Sequence, residues 1–149
     1  MSNPRWAEKY MTVPYVSNGN SFAGVNCWGL VSLVLKTEKG IEVAEYNGIS
    51  AAEIRKISRS IRNAKGIPPW QTIIPVGSEQ PFDVVTMKGL VGGHPLEIHV
   101  GIVTAPGICL HIARKLGAVQ LPFRDSPAGR MHRMFENKIT GIFRHEQLA

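Results

Sequence analysis

The chain has 149 residues, of which 44% are hydrophobic and 19% charged, and this length and composition predict one globular domain spanning residues 1–149. Seventeen Lys and Arg against eleven Asp and Glu give a formal net charge of +6, which favours anionic partners. No zinc-finger spacing, aromatic RNA-binding signature or long basic stripe accompanies this charge, so we expect no nucleic-acid partner.

The first residues lack the apolar stretch of a signal peptide, and no run of about 18 apolar residues occurs in the sequence. We therefore expect a chain that is made in the cytoplasm without a signal peptide and has no membrane span. The two cysteines, Cys27 and Cys109, make a poor disulfide framework, because a reducing compartment keeps both as thiols. A chemical role for one of them is therefore open.

The chain begins with a mixed, polar segment over residues 1–26, for which we expect irregular structure. From Cys27 the pattern changes, because Val31 and Val34 follow it at helical spacing. Gly40 then provides a C-terminal cap. The pattern predicts a helix that begins at Cys27 and places this residue on the inward face.

A second helix is predicted over residues 50–63, where Ser50 and Glu53 form a capping-box pattern. Four prolines interrupt residues 64–82, which we expect to form a long loop. Strand-like runs follow at residues 83–88, 97–104, 108–113, 119–123 and 139–144. One or two helices followed by an antiparallel meander indicate an α+β fold.

The position of Cys27 at a predicted helix start affects the ionisation of its thiol. Unpaired backbone amides and the helix dipole at that end favour a thiolate over a thiol. Free cysteines are nevertheless among the most buried residue types and are usually inert. The helix start alone therefore does not establish a nucleophile.

Two histidines, His99 and His111, lie in adjacent predicted strands joined by a turn at residues 104–107. If the hairpin is symmetric about Ala105, the two side chains lie opposite each other on one face, with Cβ atoms about 5 Å apart. A lone strand histidine is more often a packed core residue than a catalyst. A thiol, a base and a third group that orients the base are, however, what nucleophilic acyl transfer requires, and Cys27, His99 and His111 occur in that order.

The segments 26–31 (NCWGLV), 99–102 (HVGI) and 110–112 (LHI) resemble the three-part signature of the NlpC-type cell-wall cysteine peptidases. The segment PFDVV at residues 81–85 resembles the strand that opens the family's sheet. Family members encoded in tailed-phage and gene-transfer-agent tail clusters commonly have Trp directly after the nucleophile, and Trp28 follows Cys27 here. The resemblance is therefore greatest to these members. The resemblance covers nearly the whole chain.

Two intervals extend the resemblance. Tyr15 follows Pro14 and precedes Cys27 by twelve positions, as a Pro-Tyr usually does in the family. His111 follows His99 by twelve positions, which is also a common family interval.

The resemblance implies a papain-like α+β fold in which the cysteine helix packs on an antiparallel sheet. It also implies a cysteine endopeptidase that acts on peptidoglycan stem peptides, often at the bond between γ-linked D-glutamate and a diamino acid, and needs no cofactor. By this analogy Cys27 attacks, His99 takes and returns the proton, His111 orients His99 and Tyr15 lines the substrate cleft. We expect the amide of Cys27 to donate to the oxyanion.

The substrate-binding residues implied by the resemblance are Tyr15, Asn26 and Trp28. Most relatives have Asp directly before the nucleophile, whereas this chain has Asn26. An Asn can still cap the helix, but it removes one negative charge from the site.

The phage-type branch implies assembly into the tail of a virion or virion-like particle, beside tail-tip or hub proteins, where the enzyme helps to open the host wall during DNA delivery. One alternative is a structural tail-tip subunit that keeps the fold but has weak or gated hydrolysis. Another is an amidase or transferase that uses the same thiol chemistry.

A zinc site formed by Cys27, Cys109, His99 and His111 is disfavoured, because these residues lack the short-spaced ligand pairs of zinc sites, and we expect no metal. The run RMHRMF at residues 130–135 is unusually basic and apolar. It is either a contact with another protein or, as we expect, a partly buried loop.

Overall fold

The computed structural model describes residues 5–16, 19–43, 70–73, 77–91, 94–113, 117–127, 129–136 and 138–148. The helix predicted over residues 50–63 lies outside the described residues. Among the helices of the described part, none is long and apolar enough to cross a membrane.

The N-terminal segment is more regular than its sequence indicates. It contains a short helix, α1 (Arg5–Glu8), and two short antiparallel strands, β1 (Asn20–Ser21) and β2 (Gly24–Val25). The expectation of an irregular segment is therefore wrong in part. Elements of two to four residues leave no hydrophobic period in a sequence, so periodicity does not reveal them.

Helix α2 (Cys27–Lys39) confirms the predicted cysteine helix. Asn26 caps its start, because the side-chain Oδ1 accepts a hydrogen bond from the amide of Gly29 at 2.7 Å. Gly40 ends it in the left-handed conformation, with φ 66°, and the amides of Gly40 and Ile41 donate to carbonyls of the last turn. The nucleophile candidate therefore lies at a firmly defined helix start.

The described structure also contains a six-stranded antiparallel sheet, in the order β3-β8-β4-β5-β6-β7, and two 3₁₀ helices, Arg133–Phe135 and Glu146–Leu148. Its strands are β3 (Trp70–Thr72), β4 (Val84–Val91), β5 (His94–Ala105), β6 (Ile108–Ala113), β7 (Gly117–Pro122) and β8 (Ile139–His145).

The five predicted strands are present, and β4 to β7 form the expected meander. The fifth, β8, returns to pair with β4 and does not continue the meander after β7. The expectation of an unbroken loop over residues 64–82 is wrong at β3, which pairs with β8 at the sheet edge. Trp70 holds this strand, because its side chain is buried in the core.

The two faces of the sheet carry separate apolar clusters. One cluster joins α2 to the sheet side chains Val84, Val100, Ile102, Leu110, Ile112, Ala118 and Phe143. The other lies on the opposite face and contains Val85, Met87, Val103, Cys109, Phe123, Phe135 and Ile142. Because side chains alternate along a strand, β5 and β6 direct successive residues to different clusters.

The turn between β5 and β6 is centred on Pro106 and Gly107, since Ala105 pairs with Ile108 and Gly107 has φ 81°. Proline followed by a glycine of positive φ defines a type II turn. The expected symmetry about Ala105 is therefore wrong.

The register pairs Ile102 with Leu110. This shifts His111 from the position opposite His99 to a position beside Gly101. A Cβ placed on Gly101 would lie 3.3 Å from the Cβ of His111.

Two buried carboxylates brace the sheet and its loops. Asp83 accepts hydrogen bonds from Nε and Nη2 of Arg144, both at 2.8 Å. Glu79 accepts from Nε of Arg124 at 2.6 Å and from the amide of Gly107 at 2.7 Å. Burial raises the pKa of Glu79, but the backbone amides and Arg124 lower it more, so this carboxyl remains charged.

Candidate active site

The start of α2 is packed tightly against the segment that precedes it. The amide of Asn26 donates to the carbonyl oxygen of Gly19 at 3.1 Å. A Cβ on Gly29 would overlap that same oxygen. Glycine at position 29 therefore permits the close approach that fixes Cys27 at the helix start.

Cys27 is 7% exposed, and its thiol contacts the backbone of Val100 in strand β5. Burial raises its pKa to about 11, although hydrogen bonds to the backbone of Val100, Trp28 and Cys27 itself act to lower it. The expectation that the helix start favours a thiolate is therefore wrong for the resting protein, because burial outweighs the amides. Contact with Val100 places the thiol next to the residue that follows His99.

The two strand histidines form a direct pair despite the shifted register. Nε2 of His99 lies 3.0 Å from Nδ1 of His111, and the rings meet edge to face, with centroids 5.2 Å apart and an interplanar angle of 88°. Diagonal neighbours on one face of a sheet are within reach of aromatic side chains, and Gly101 leaves the space between them open.

This pair constrains where the protons lie. If Nε2 of His99 donates to Nδ1 of His111, Nδ1 of His99 has a lone pair and can accept the proton of a thiol. In the reverse tautomer that nitrogen carries a proton and cannot act as a base. The first arrangement is the one that proton abstraction from Cys27 requires.

Both imidazoles are biased toward the neutral form. Burial lowers the pKa of His99 to about 3, with further contributions from His111 and the positive charge of Lys138. Burial also lowers the pKa of His111 to about 4, assisted by His132. At neutral pH both imidazoles are therefore neutral, and the raised pKa of Cys27 keeps its side chain a thiol.

His111 is fully buried, and its Nε2 has no hydrogen-bond partner among the described residues. The ring of Phe135 packs against it edge to face, with centroids 5.3 Å apart. Phe135 is itself buried and holds the third residue of the candidate triad in place.

The three predicted substrate-binding residues lie near the start of α2 in different environments. Tyr15 is half-buried and forms a bridge with Val25, two residues before Cys27. Asn26 is buried as the helix cap, and Trp28 is buried against Trp70, with ring centroids 6.3 Å apart. Substrate contact by these three residues remains a prediction, and burial gives Asn26 and Trp28 a structural role.

The zinc arrangement considered from the sequence does not form in the described part of the chain. Cys27 belongs to the cluster on the α2 face, whereas Cys109 belongs to the cluster on the opposite face. Within the described ranges, no group of three or more His, Cys, Asp or Glu side chains is arranged to hold a metal.

Gly101 and Phe135, which pack against His111, are two residues of the site that the sequence did not predict. A glycine inside an apolar strand signals a close approach, and this signal was available for Gly101. Phe135 lies in the basic run of residues 130–135, where a lone aromatic gives no indication of its partner.

No protein-family model matches the chain, and no curated protein sequence matches it. Solved structures, however, do match the chain. An NLP/P60 family protein from Staphylococcus aureus, described as similar to lipoprotein, has a TM-score of 0.59 and 19% identity over 93% of this chain and 38% of that chain. An NlpC/P60 family protein from Bacillus cereus has a TM-score of 0.57 and 16% identity over 97% of this chain and 41% of that chain.

The NlpC/p60 domain of the peptidoglycan hydrolase SagA has a TM-score of 0.56 and 17% identity, and the match covers 93% of this chain and 92% of that one. This chain therefore spans about two fifths of the Staphylococcus and Bacillus chains but nearly all of the SagA domain. The cysteine helix on an antiparallel sheet and these similarities show that the chain has the α+β, papain-like NlpC-type fold.

Proposed function

We propose that the chain is a cysteine endopeptidase that cleaves peptidoglycan stem peptides, with Cys27 as nucleophile, His99 as base and His111 as the residue that orients His99. The observation that carries this proposal is the His99–His111 contact of 3.0 Å, on the strand whose Val100 backbone bonds the thiol at the start of α2. The fold shared with a peptidoglycan hydrolase domain supports the choice of substrate.

The reaction proceeds in two halves. Sγ of Cys27 attacks the scissile carbonyl carbon as its proton passes to Nδ1 of His99, and the carbonyl electron pair moves to the oxygen, which the amide of Cys27 stabilises. The C–N bond then breaks, and His99 returns the proton to the leaving amine. Water next hydrolyses the thioester, giving one proton to His99 as it attacks, and the thiol is restored.

The neutral protonation state of Cys27 and His99 at rest agrees with this order of reaction steps. A thiol of raised pKa and an imidazole of lowered pKa do not form a stable ion pair before substrate binds. Charge therefore develops during the attack, where the amides at the start of α2 can stabilise it. Water exclusion by substrate strengthens that interaction.

Digestion of purified peptidoglycan, followed by mass spectrometry of the new termini, tests the proposal. We expect new peptide termini within the stem with the unaltered protein, no cleavage with Cys27→Ala, and cleavage with the matched control Cys109→Ala. Fragments separated between sugar and peptide would identify an amidase instead. Unchanged peptidoglycan with the unaltered protein would contradict the hydrolase.

We also propose that the enzyme acts from the tail of a phage-like particle, beside tail-tip or hub proteins. The support is the resemblance of residues 26–31, with Trp28 after the nucleophile, to tail-encoded members of the family. Particles carrying Cys27→Ala test this placement. We expect normal particle yield, poor DNA delivery into intact cells and rescue in cells with a thinned wall, whereas normal delivery into intact cells contradicts a required hydrolytic role.

A second candidate, a tail-tip subunit whose hydrolysis is gated by neighbours, is favoured by one observation. Cys27 is 7% exposed, and its pKa is raised to about 11. The rate of Cys27 alkylation by iodoacetamide, measured against pH, examines this state with Cys109→Ala as background. A slow rate that climbs through pH 9 indicates a resting thiol, whereas a fast rate at pH 6 indicates an ion pair and no gate.

A further inference from the structure

The basic run noted in the sequence, residues 130–135, packs on the sheet face that carries His111. Met131 is half-buried and Phe135 is buried, and both belong to the apolar cluster on that face. The exposed side chains of the run are basic or ionisable: Arg130, His132 and Arg133. The expectation of a partly buried loop is therefore confirmed for these residues.

Backbone hydrogen bonds fix the position of Phe135 in addition to its packing. It ends the 3₁₀ helix Arg133–Phe135, in which its amide donates to the carbonyl oxygen of His132 at 3.0 Å. The amide of His132 donates to the carbonyl oxygen of Pro122, the last residue of β7, at 2.8 Å. The carbonyl oxygen of Phe135 accepts from the amide of Lys138, which directly precedes β8, at 3.0 Å. The ring is therefore held on the sheet from both ends of the turn.

His111 has one polar side-chain contact, and an aromatic ring packs against it. Its Nδ1 lies 3.0 Å from Nε2 of His99, whereas its Nε2 is buried without a hydrogen-bond partner in the described part of the chain. The ring of Phe135 meets it edge to face, at a centroid distance of 5.3 Å and an interplanar angle of 66°. His111 itself is fully buried. The imidazole is therefore enclosed on the side away from His99.

The ionisable groups around His111 do not favour its protonation. The neighbour on β5 is His99, and the neighbour on β6 is Cys109, a buried residue on the same face. Strand β7 contains no ionisable residue. The turn over the ring contributes exposed groups, namely His132, Arg133 and Glu136. His132 acts with burial to lower the pKa of His111.

We propose that Phe135 is a positioning residue that keeps His111 enclosed and neutral, so that the proton taken from Cys27 stays on His99 until it passes to the leaving amine. This inference rests on the proposed function. It assigns the ring a part in the direction of proton transfer, beyond its part in packing.

The reaction needs the proton to remain on His99. When Nδ1 of His99 takes the thiol proton, its ring becomes an imidazolium whose Nε2–H donates to Nδ1 of His111. A neutral His111 accepts this hydrogen bond, whereas a proton on His111 would place a charge in an enclosed site, which is costly. The imidazolium of His99 is a stronger acid than a neutral imidazole, so it is the better proton donor to the amine.

The dependence of kcat on pH, measured with a synthetic stem peptide, tests this role. Phe135→Ala removes the ring and admits water to His111, so the pKa of His111 should rise toward its usual value of about 6.5. A protonated His111 cannot accept a hydrogen bond from His99. The kcat of Phe135→Ala should therefore be about tenfold lower at pH 5.5 than at pH 7.5, whereas that of the unaltered protein should change less than about twofold.

Phe123→Ala is the matched control, because Phe123 is a buried phenylalanine of the same apolar cluster. Among the ring contacts between described residues, none joins Phe123 to a histidine. This variant should keep the ratio of the two kcat values that the unaltered protein shows. An unchanged ratio in folded Phe135→Ala would overturn the role of Phe135. The same altered ratio in Phe123→Ala would also overturn it, because a loosened core would then explain the effect.

Loss of a buried ring can unfold a variant, so Phe135→Leu and Phe123→Leu provide a milder pair. NMR titration of the His111 ring signals, in the Cys27→Ala background, follows protonation without any hydrolysis. The midpoint should rise by at least about half a pH unit in Phe135→Leu and stay unchanged in Phe123→Leu. An unmoved midpoint in Phe135→Leu would overturn the proposal. Absence of cleavage by the unaltered protein would instead contradict the peptidase, and the role of Phe135 in its reaction, whatever the midpoint.

Discussion

Two sets of buried or half-buried ionisable groups lie on or beside the six-stranded sheet, and they have opposite electrostatic character. The carboxylates of Glu79 and Asp83 each accept hydrogen bonds from an arginine and from backbone amides. Burial moves the pKa of Cys27, of His99 and of His111 toward the neutral form of each group. The first set forms ion pairs, whereas burial favours the neutral form in the second set.

The difference separates a structural site from a chemical one. A buried charge that keeps its partner braces the loops around it, and loss of the partner destabilises the fold. A thiol and an imidazole that burial keeps neutral can exchange a proton once a reacting group arrives. Substitutions in the first set should therefore change stability, and substitutions in the second should change activity.

The largest expected effect is on the chemistry of Cys27. Cys27→Ala should lower hydrolysis at least about a thousandfold, because no other group replaces the nucleophile. The melting temperature should change little, since the substitution removes only one sulfur atom from the packed helix start. Activity and thermal unfolding are measured on Cys27→Ala and on Cys109→Ala, which lies on the other face and should retain activity. Retained activity in Cys27→Ala excludes this nucleophile.

The next largest effect is on stability, at the acidic set. Asp83→Asn leaves Arg144 half-buried beside a neutral amide and should destabilise the fold by about 3 kcal/mol. Urea unfolding measures this loss. Lys36→Met disrupts an exposed ion pair with Glu42 and should change stability by less than about 0.5 kcal/mol. The comparison between the two sets fails if Asp83→Asn is as harmless as the surface control.

The order and type of the main elements could be predicted from the sequence because their signals are local. The cap at Asn26, the helical spacing after Cys27 and the glycine at position 40 fixed the limits of α2 in advance. Strand β3 could not be predicted, because three residues among prolines carry no period and only the buried Trp70 holds them.

Two features of the site could not be predicted from residue spacing in the sequence alone. The pairing of His99 and His111 was predicted from an assumed hairpin symmetry, whereas the chemistry of Pro106 and Gly107 moves the turn and makes the contact diagonal. The sign of the pKa shift at Cys27 was predicted from the helix start alone. Burial, which depends on the whole fold, decides that sign.

A smaller effect on catalysis is expected at His111, because this residue acts through His99. His111→Gln should lower kcat about tenfold to a hundredfold and leave KM nearly unchanged, since an amide oxygen can still accept from Nε2 of His99. His99→Ala should be as damaging as Cys27→Ala. Steady-state kinetics of the three variants distinguish these outcomes, and a loss in His111→Gln equal to that in His99→Ala would show that His111 does more than orient its partner.

At neutral pH the smallest effect is the dependence of stability on pH, which develops only as the pH falls below 6.5. His99 and His111 have pKa values lowered from 6.5 to about 3 and about 4, so above pH 6.5 they are neutral in both the folded and the unfolded chain. Below pH 6.5 the unfolded chain binds protons that the folded chain does not, and stability falls by up to about 1.4 kcal/mol per pH unit for each histidine. The fall should continue until pH approaches the folded pKa values, and below about pH 4.5 the lowered pKa of Glu79 adds a loss of the same sign.

Urea unfolding at pH 7.5, 6.0 and 5.0 measures the slope, with His111→Gln as the comparison. The stability of this variant should depend on pH with a slope that is shallower by about one histidine's contribution. Parallel pH curves for the two proteins would mean that His111 is not neutral in the folded chain, and the contrast between a charged structural set and a neutral reactive set would not hold.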